Sequence, residues 1–437
     1  MTNCTQSSFE FPALNRKKIE AEFSGGTITS DAGALLLRDV DRQLGLLETV
    51  DRMIPDPRDS RYTTHSQLSL LRQRVYGLCL GYEDLNDHND LRGDVGFQTS
   101  VNSESDLGSP STLCRLENRC DRSTMFDLHR VMVNTFMASF DESPEELILD
   151  IDATDDLVHG EQEGRFFHGY YRQYCFLPLY VFCGDQLLVS YLRPSNIDGA
   201  KHTWAILSLL VKRFRQQWPQ VNIIVRGDGG FCRQPMLNWC ERHDVGYIVG
   251  YTKNKRLLDH IKTEMKDAEK LYEQTQQAAR LFKDIRYGAK SWKRQRHIIA
   301  KVEHLPKGSN ARFIVTNLNG DAQYLYEEVY CARGEMENRI KEQQLGLFAD
   351  RTSCHDWWAN QYRLLLSSLA YILMETIRRT GLKNTSLERA QVNTIRLQLL
   401  KIGAVIIRNT RRIRFLLSSH YPRQTLFMLV ARRLQSG

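Results

Sequence analysis

The chain is predicted to be an α/β protein: a mixed sheet flanked by helices, with an N-terminal helical domain, a β-rich insertion and a basic C-terminal region. Three observations carry this expectation. Apolar residues recur at helical spacing between residues 34 and 140, then at strand spacing from 147 onward, with helical stretches between the strands. A further set of strand-like runs, two of them joined by Lys307-Gly-Ser-Asn310, separates that region from a return to helix at 327. Residues 377–437 hold thirteen Lys or Arg and one acid, so they carry +12 and the rest of the chain −5 of the net +7. The boundaries that follow are 1–143 for the helical domain, 144–252 and 327–378 for the two parts of the core, 253–326 for the insertion and 379–437 for the basic region.

A short polar arm opens the chain, and Phe23-Ser-Gly-Gly-Thr-Ile-Thr-Ser-Asp31 is a turn leading into a helix with Ser30 or Asp31 as its cap. Helices are expected over 34–53 and 64–80, broken by Pro55 and Pro57. The acidic stretch at 82–90 suits helix capping and solvation better than metal binding. Ser109 caps a further helix running through Arg115 and Arg119 to Phe140. Arg72, Arg74, Arg115 and Arg119 are either solvated or turned toward a polyanion such as DNA. After Pro144, strands are expected at 147–153, 166–176, 179–192, 221–226 and 246–251, with helices at 203–218 and 234–243. The insertion reads as a charged helix, 257–281, followed by strands at 282–287, 294–303 and 312–317. An apolar helix spans 357–378.

Composition narrows the class of protein. Apolar residues make up 42% and charged residues 25% of 437, which is ordinary for a folded globular chain and excludes general disorder. No apolar run approaches the roughly 20 residues of a membrane helix, and the first residues lack a basic flank followed by an apolar core, so a cytoplasmic location without membrane contact is expected. The ten cysteines include no Cys-x-x-Cys pair and suit reduced structural thiols rather than zinc.

Chemistry concentrates on acidic residues in apolar surroundings. Along 147–153, Leu147, Leu149 and Ile151 point one way while Ile148, Asp150 and Asp152 point the other, so two carboxylates share one sheet face. A carboxylate on so apolar a strand costs several kcal/mol unless it is paired, hydrogen-bonded or bound to a cation. Asp228 stands where the strand 221–226 ends, and Glu337 lies on a helix whose Tyr330, Arg333 and Lys341 recur at helical spacing on its face. Strand Asp, strand-end Asp and helix Glu suit a divalent metal. In the tail, Arg408, Arg411, Arg412 and Arg414 lie among Ile406, Ile407, Ile413 and Phe415, which sets guanidinium groups on a packed frame suited to a phosphate backbone. Trp292, beside Arg294, is an aromatic among cations and a candidate for stacking on an unpaired base.

The order Asp-x-Thr at 152–154, Asp228 followed by Gly-Gly-Phe, intervening strands, then Tyr330-x-x-Arg333-x-x-x-Glu337 resembles the DDE transposases of bacterial insertion sequences. More narrowly, Leu149-Asp-Ile-Asp-Ala-Thr-Asp-Asp156 with His159-Gly160, Arg312-Phe-Ile-Val-Thr-Asn317 and Asn360-Gln-Tyr-Arg363 resemble the insertion-sequence group numbered thirteen-eighty. The resemblance covers essentially the whole chain. It implies an RNase H-like core, two Mg²⁺ ions (with Mn²⁺ as a substitute) on Asp152, Asp228 and Glu337, and DNA strand transfer. It also implies contact of Tyr330 and Arg333 with DNA near the cut end, terminal inverted repeats and target DNA as partners, a homodimer in the synaptic complex, and a bacterial, nucleoid-associated setting. Asp152 holds the Asp-x-Thr position, which leaves Asp150 in support. The lysine of the family, seven residues after the Glu, is Gln344 here, with Lys341 one turn from Glu337 as a substitute.

The reaction gives its own reason for acidic ligands. Phosphodiester exchange needs an in-line oxygen nucleophile and a stabilised leaving oxygen, which two divalent ions about 4 Å apart supply. No protein nucleophile is required, in keeping with the lack of an evident Ser, Tyr or Cys motif for one. A metal-dependent nuclease without strand transfer and a non-catalytic DNA-binding descendant are the alternative readings.

Overall fold

The structure, a computed structural model, describes residues 8–435; the opening polar arm at 1–7 lies outside them. The chain divides into two compact units. One comprises Met1–Cys120, Gly346–Phe348 and Leu369–Gly437, and the other Asp121–Leu345 with Ala349–Ser368. The second unit is built on an eight-stranded mixed sheet. Its strands along the chain are β1 (Glu146–Ala153), β2 (Leu179–Cys183), β3 (Gln186–Tyr191), β4 (Asn222–Gly227), β5 (Gly246–Tyr251), β6 (Ala279–Tyr287), β7 (Arg296–Leu305) and β8 (Gly308–Thr316). In space the order is β6-β7-β8-β5-β4-β1-β2-β3. β5, β4 and β1 run parallel, and every other neighbouring pair is antiparallel.

Alternation along β1 sorts its side chains as expected. Leu147, Leu149 and Ile151 join a core with Val225, Val249 and residues of the helices Arg122–Ala138, Thr203–Gln217 and Gln234–Arg242. On the other face Ile148 packs with Ile224, Ile248, Ile299 and Ile314 beneath Leu325 and Tyr326, the start of a helical segment over 322–346. The carboxylates of β1 therefore lie on the face that this segment covers. The segment is not a regular helix: a π turn at Leu325–Tyr330 and a 3₁₀ turn at Cys331–Arg333 precede the α-helix Gly334–Lys341.

Several expectations change. The strands expected as a separate insertion are β6, β7 and β8, and through the β8–β5 ladder they extend the same sheet. The helix expected over 257–281 ends at Thr275, where Gln276 takes a left-handed backbone and the following residues pair as β6. The single strand expected at 166–176 is a hairpin, Phe166–His168 with Gln173–Phe176, in a small side sheet with Asp156–Leu157. The boundary expected at 143 lies at Cys120, since the helix Arg122–Ala138 packs on the sheet, and the N-terminal and basic C-terminal regions share one unit.

In the first unit the helix expected over 34–53 breaks at Gly45, whose φ of 58° ends one helix and starts the next. Neither Ser30 nor Asp31 caps it: the N-cap is Gly33, and Asp31 is buried, pairing with Lys401 Nζ at 2.7 Å and accepting from the Tyr82 hydroxyl at 2.7 Å. Arg72 and Arg74 are not available to a polyanion, being buried against Asp41 and Glu117. Asp84 and Asp87 form a capping box and Ser109 caps Pro110–Glu117, as expected. A two-stranded ribbon, Phe9–Leu14 with Lys17–Ala21, is exposed throughout.

Within the basic tail, which also holds the helix Gln424–Gln435, the arginine cluster lies on a β-hairpin. Ala404–Arg408 pairs with Ile413–Leu417 and, on its other edge, with Ile28–Thr29. Asn409 makes the turn by accepting from the amides of Arg411 and Arg412, each at 3.0 Å. The nine described cysteines are free thiols, and among the described residues no helix is long and apolar enough to cross a membrane.

Gly33 has no room for a side chain, because a Cβ there would lie 2.0 Å from Leu399 O and 2.4 Å from Leu400 Cα. Gly33→Ala is expected to destabilise the first unit by about 3 kcal/mol, as overpacking against backbone does, read as a lowered urea midpoint with unchanged slope.

Candidate active site

Register brings the two aspartates together. Across the parallel β4–β1 ladder Arg226 lies opposite Asp150 and Gly227 opposite Ile151, so Asp228, the next residue, is level with Asp152 at the ends of the strands. Asp228 is held by its own turn, its Oδ1 accepting from the Gly230 amide at 2.8 Å. Asp152 Oδ1 accepts from the Ala153 amide at 2.9 Å.

Asp150, on the same face two residues deeper, is neutralised inside the protein. Arg226 donates Nε to its Oδ1 at 2.5 Å and Nη2 to its Oδ2 at 2.7 Å, and with Nη1 it reaches Val329 O at 2.5 Å in the covering segment. Both partners are buried. A removed partner would leave an uncompensated buried charge, a loss on the order of 3–5 kcal/mol. This clamp fixes the segment immediately before Tyr330, Arg333 and Glu337. Sequence reasoning gave Asp150 a supporting role and passed over Arg226. The signal was available in the spacing, because each strand has a charged residue two positions before its aspartate, so the register that aligns the aspartates also aligns Arg226 with Asp150.

Arg333 bridges the acids of the two elements. Its Nη2 donates to Glu337 Oε1 at 2.7 Å, and its Nη1 lies 3.6 Å from Asp152 Oδ2. Asp152 is largely buried, whereas the Glu337 side chain is 45% exposed, which leaves the site open from the helix side. Burial pushes the Asp152 carboxyl up to about 6; Arg333 opposes the rise, and the nearby charges of Asp228 and Glu337 add to it. Tyr330 completes the cluster. Its hydroxyl would lie 2.8 Å from a Cβ on Gly250, and the Gly229 amide 2.7 Å from the same atom, so a glycine is required where β5 passes the Asp228 turn. Burial also raises the Tyr330 phenol.

The other candidates are distributed differently. Lys341 is exposed at the end of its helix. Gln344 donates to Asp156 Oδ1 at 2.8 Å and to Asp155 O at 3.2 Å, tying the end of the segment to the chain just beyond Asp152. Burial holds Asp156 well above the usual carboxylate range, so an amide is a suitable partner for it. Trp292 packs against Tyr251 and Tyr287 with the Arg296 guanidinium 5.0 Å from its ring, and Arg294 pairs with Glu241. Both are engaged within the fold, Trp292 partly exposed and Arg294 exposed. Arg411, Arg412 and Arg414 are exposed on the hairpin, and Arg408 donates to Glu104 O at 3.0 Å; these four belong to the other compact unit.

The donor set fits a hard divalent cation: Asp152, Asp228 and Glu337 offer carboxylate oxygen only, as Mg²⁺ or Mn²⁺ prefers. Among the described residues the trio whose ligand atoms lie mutually within 4.8 Å is a different one, Glu163, His355 and Asp356. That trio is exposed, and Glu163 is occupied at the start of the helix Trp357–Thr376, accepting from the Trp357 amide at 3.3 Å. At the sheet ends, a guanidinium occupies the space between Asp152 and Glu337.

The family description "Transposase DDE domain group 1" matches residues 11–437. No curated protein sequence matches the chain. Among solved structures it is similar to a piggyBac transposase in a cryo-EM synaptic complex with hairpin DNA, at 11% identity and a TM-score of 0.40, over 85% of this chain and 80% of that one.

The raised Asp152 gives a signed pH dependence. Its folded value, about 6 against an ordinary 3.8, means that the native state binds the extra proton between those limits, so stability falls as pH rises through them. In DNA-free protein with chelator, Asp152→Asn is expected to be more stable than wild type by about 2–3 kcal/mol near pH 7.5, with the difference vanishing about one pH unit below the ordinary value of 3.8. Urea titrations at the two pH values measure it.

Proposed function

The chain belongs to the transposase DDE domain group 1 family, a DNA-cleaving and joining class that works on divalent metal, and from that premise we propose its specific reaction. The protein cuts the ends of a bacterial insertion sequence of the thirteen-eighty group and joins the freed 3′-hydroxyls to target DNA, acting as a homodimer on paired terminal repeats. The single observation that carries the assignment of the site is the matched register of Asp152 and Asp228 at the ends of adjacent parallel strands, with Glu337 on the segment that covers that face. That arrangement, a mixed sheet with its acids at the ends of neighbouring parallel strands, supports an RNase H-like reading of the core.

When bound, two Mg²⁺ or Mn²⁺ ions supply activation of the attacking oxygen and stabilisation of the leaving 3′-oxygen. Asp152 and Asp228 would hold them from the sheet and Glu337 from the helix. Arg226 keeps Asp150 out of that task by neutralising it and anchors Val329, so the register of Tyr330, Arg333 and Glu337 over the acids is preserved. Tyr330 and Arg333 stand beside the acids, where the phosphate of a DNA end would lie, and Lys341 extends the same helix with a further exposed cation. The exposed Arg411, Arg412 and Arg414, with Arg408, form the broader phosphate grip. Trp292, partly exposed, and Arg294, largely exposed beside Glu241, would add a further contact to DNA.

Glu337→Gln is expected to bind terminal DNA at wild-type strength or better while nicking and joining fall about a hundredfold or more, since a metal ligand is removed and repulsion from phosphate drops. Gel shift and a nicking assay with Mg²⁺ or Mn²⁺ separate the two effects. Nicking at the wild-type rate would move the third ligand to the exposed Glu335 or to Glu342, which now pairs with Arg339 at 2.7 Å.

Neutralising Arg408, Arg411, Arg412 and Arg414 together is expected to flatten the dependence of log affinity on log salt by about 0.9 for each phosphate that these arginines neutralise. An unchanged slope would assign the hairpin to the fold or to another partner.

A further inference from the structure

Arg333 stands where the three acids would draw a cation. Its Nη2 donates to Glu337 and its guanidinium also meets the Tyr330 side chain, while Nη1 lies 3.6 Å from Asp152, buried and without a hydrogen-bond partner. A guanidinium does not lose its charge, so it cannot make room by deprotonation. A divalent cation among these carboxylates would therefore face a fixed positive charge at close range. The fork of a guanidinium matches two oxygens of one phosphate, a better partner than a carboxylate that takes a single bond and leaves Nη1 unpaired. The Glu337 end of the bridge is half exposed, so a phosphate can compete for it from solvent.

We propose that Arg333 is the internal counter-ion of the site: it satisfies Asp152 and Glu337 while DNA is absent, and transfers to a DNA phosphate when an end docks, which frees those carboxylates for the divalent cation. The inference rests on the reading of Asp152, Asp228 and Glu337 as the cation ligands. Cation uptake then depends on DNA, and by reciprocity DNA binds more tightly when the cation is present, by the same factor. The arrangement would discourage metal-dependent cleavage by protein that has not yet engaged an end.

The test is direct titration of Mn²⁺ followed by loss of the free-ion electron spin resonance signal. DNA-free Arg333→Gln is expected to bind Mn²⁺ about tenfold more tightly than DNA-free wild type, and Arg333→Lys, which keeps the charge, to stay near wild type. Adding a short duplex made from the DNA flanking the gene should tighten Mn²⁺ binding to wild type by a similar factor and leave Arg333→Gln unchanged. The wild-type comparison needs no variant, so it decides even where Arg333→Gln fails to fold. Equal Mn²⁺ affinity of wild type with and without a duplex that it binds, or equal affinity of DNA-free wild type and Arg333→Gln, overturns the proposal. Asp152→Asn in the Arg333→Gln background probes the underlying site separately: loss of the tight Mn²⁺ upholds the ligand reading, and its retention sinks that reading instead.

Discussion

The buried contact of Arg226 with Asp150 and Val329 O is the constraint on which the rest of the site depends. β1 is apolar enough to be central in the sheet, yet it carries two carboxylates on one face, and burial makes each of them expensive. Arg226 removes one of these costs with two charge-assisted bonds and uses its remaining arm to hold the backbone of the covering segment. One side chain thus joins a strand, its parallel neighbour and the helical segment. The clamp also locks register, because a one-residue slip of β4 against β1 would turn Arg226 to the opposite face and leave Asp150 unpaired. The same register is what sets Asp228 level with Asp152.

The covering segment has to meet several fixed points, and its irregular geometry follows from them. Val329 O is held by Arg226, the Tyr330 ring packs against the isoleucine core of the sheet, and its hydroxyl lies against the Gly250 passage. Arg333 and Glu337, one α-helical turn apart, have to face the strand ends. A regular helix repeats every 3.6 residues, whereas this path changes from π to 3₁₀ to α as it passes the acids, shifting the side chains round the axis where the fixed points require it. Gln344 then anchors the far end of the segment to Asp156.

Much of this was legible in the sequence because period-two patterning is a local property. The face assignment on β1, the strand end at Asp228, β5 and the helix bearing Glu337 could be read from neighbouring residues alone. What escaped depended on pairing at long range. Whether β6 to β8 form a separate subdomain or extend the sheet is decided by the β8–β5 ladder, which no local pattern records. Arg72 and Arg74 looked like surface cations because their partners, Asp41 and Glu117, are 31 and 43 residues away. Trp292, in the turn after β6, packs on its near neighbour Tyr287 and on Tyr251 of β5 and stays partly exposed. Asp31 has the residue type and position of a helix cap, but Lys401 and Tyr82 claim its carboxylate and leave the cap to Gly33.

Two arginines approach the acids of one sheet face, and their surroundings give them opposite behaviour. Arg226 lies two residues before Asp228, is buried with its partner, and uses every arm of its fork against fixed acceptors. Nothing a ligand offers could repay its release, since Asp150 would be left as a bare buried charge. Arg333 lies at the strand end, with its Nη1 unpartnered and one of its acids open to solvent. Its release leaves Glu337 hydrated and Asp152 at the mouth of the site, and a phosphate can offset the loss with a second hydrogen bond. Depth along the strand thus separates a permanent clamp from an exchangeable one. A site that must assemble around DNA and metal needs both: the first so that the acids have a fixed position, and the second so that they have a partner while they wait.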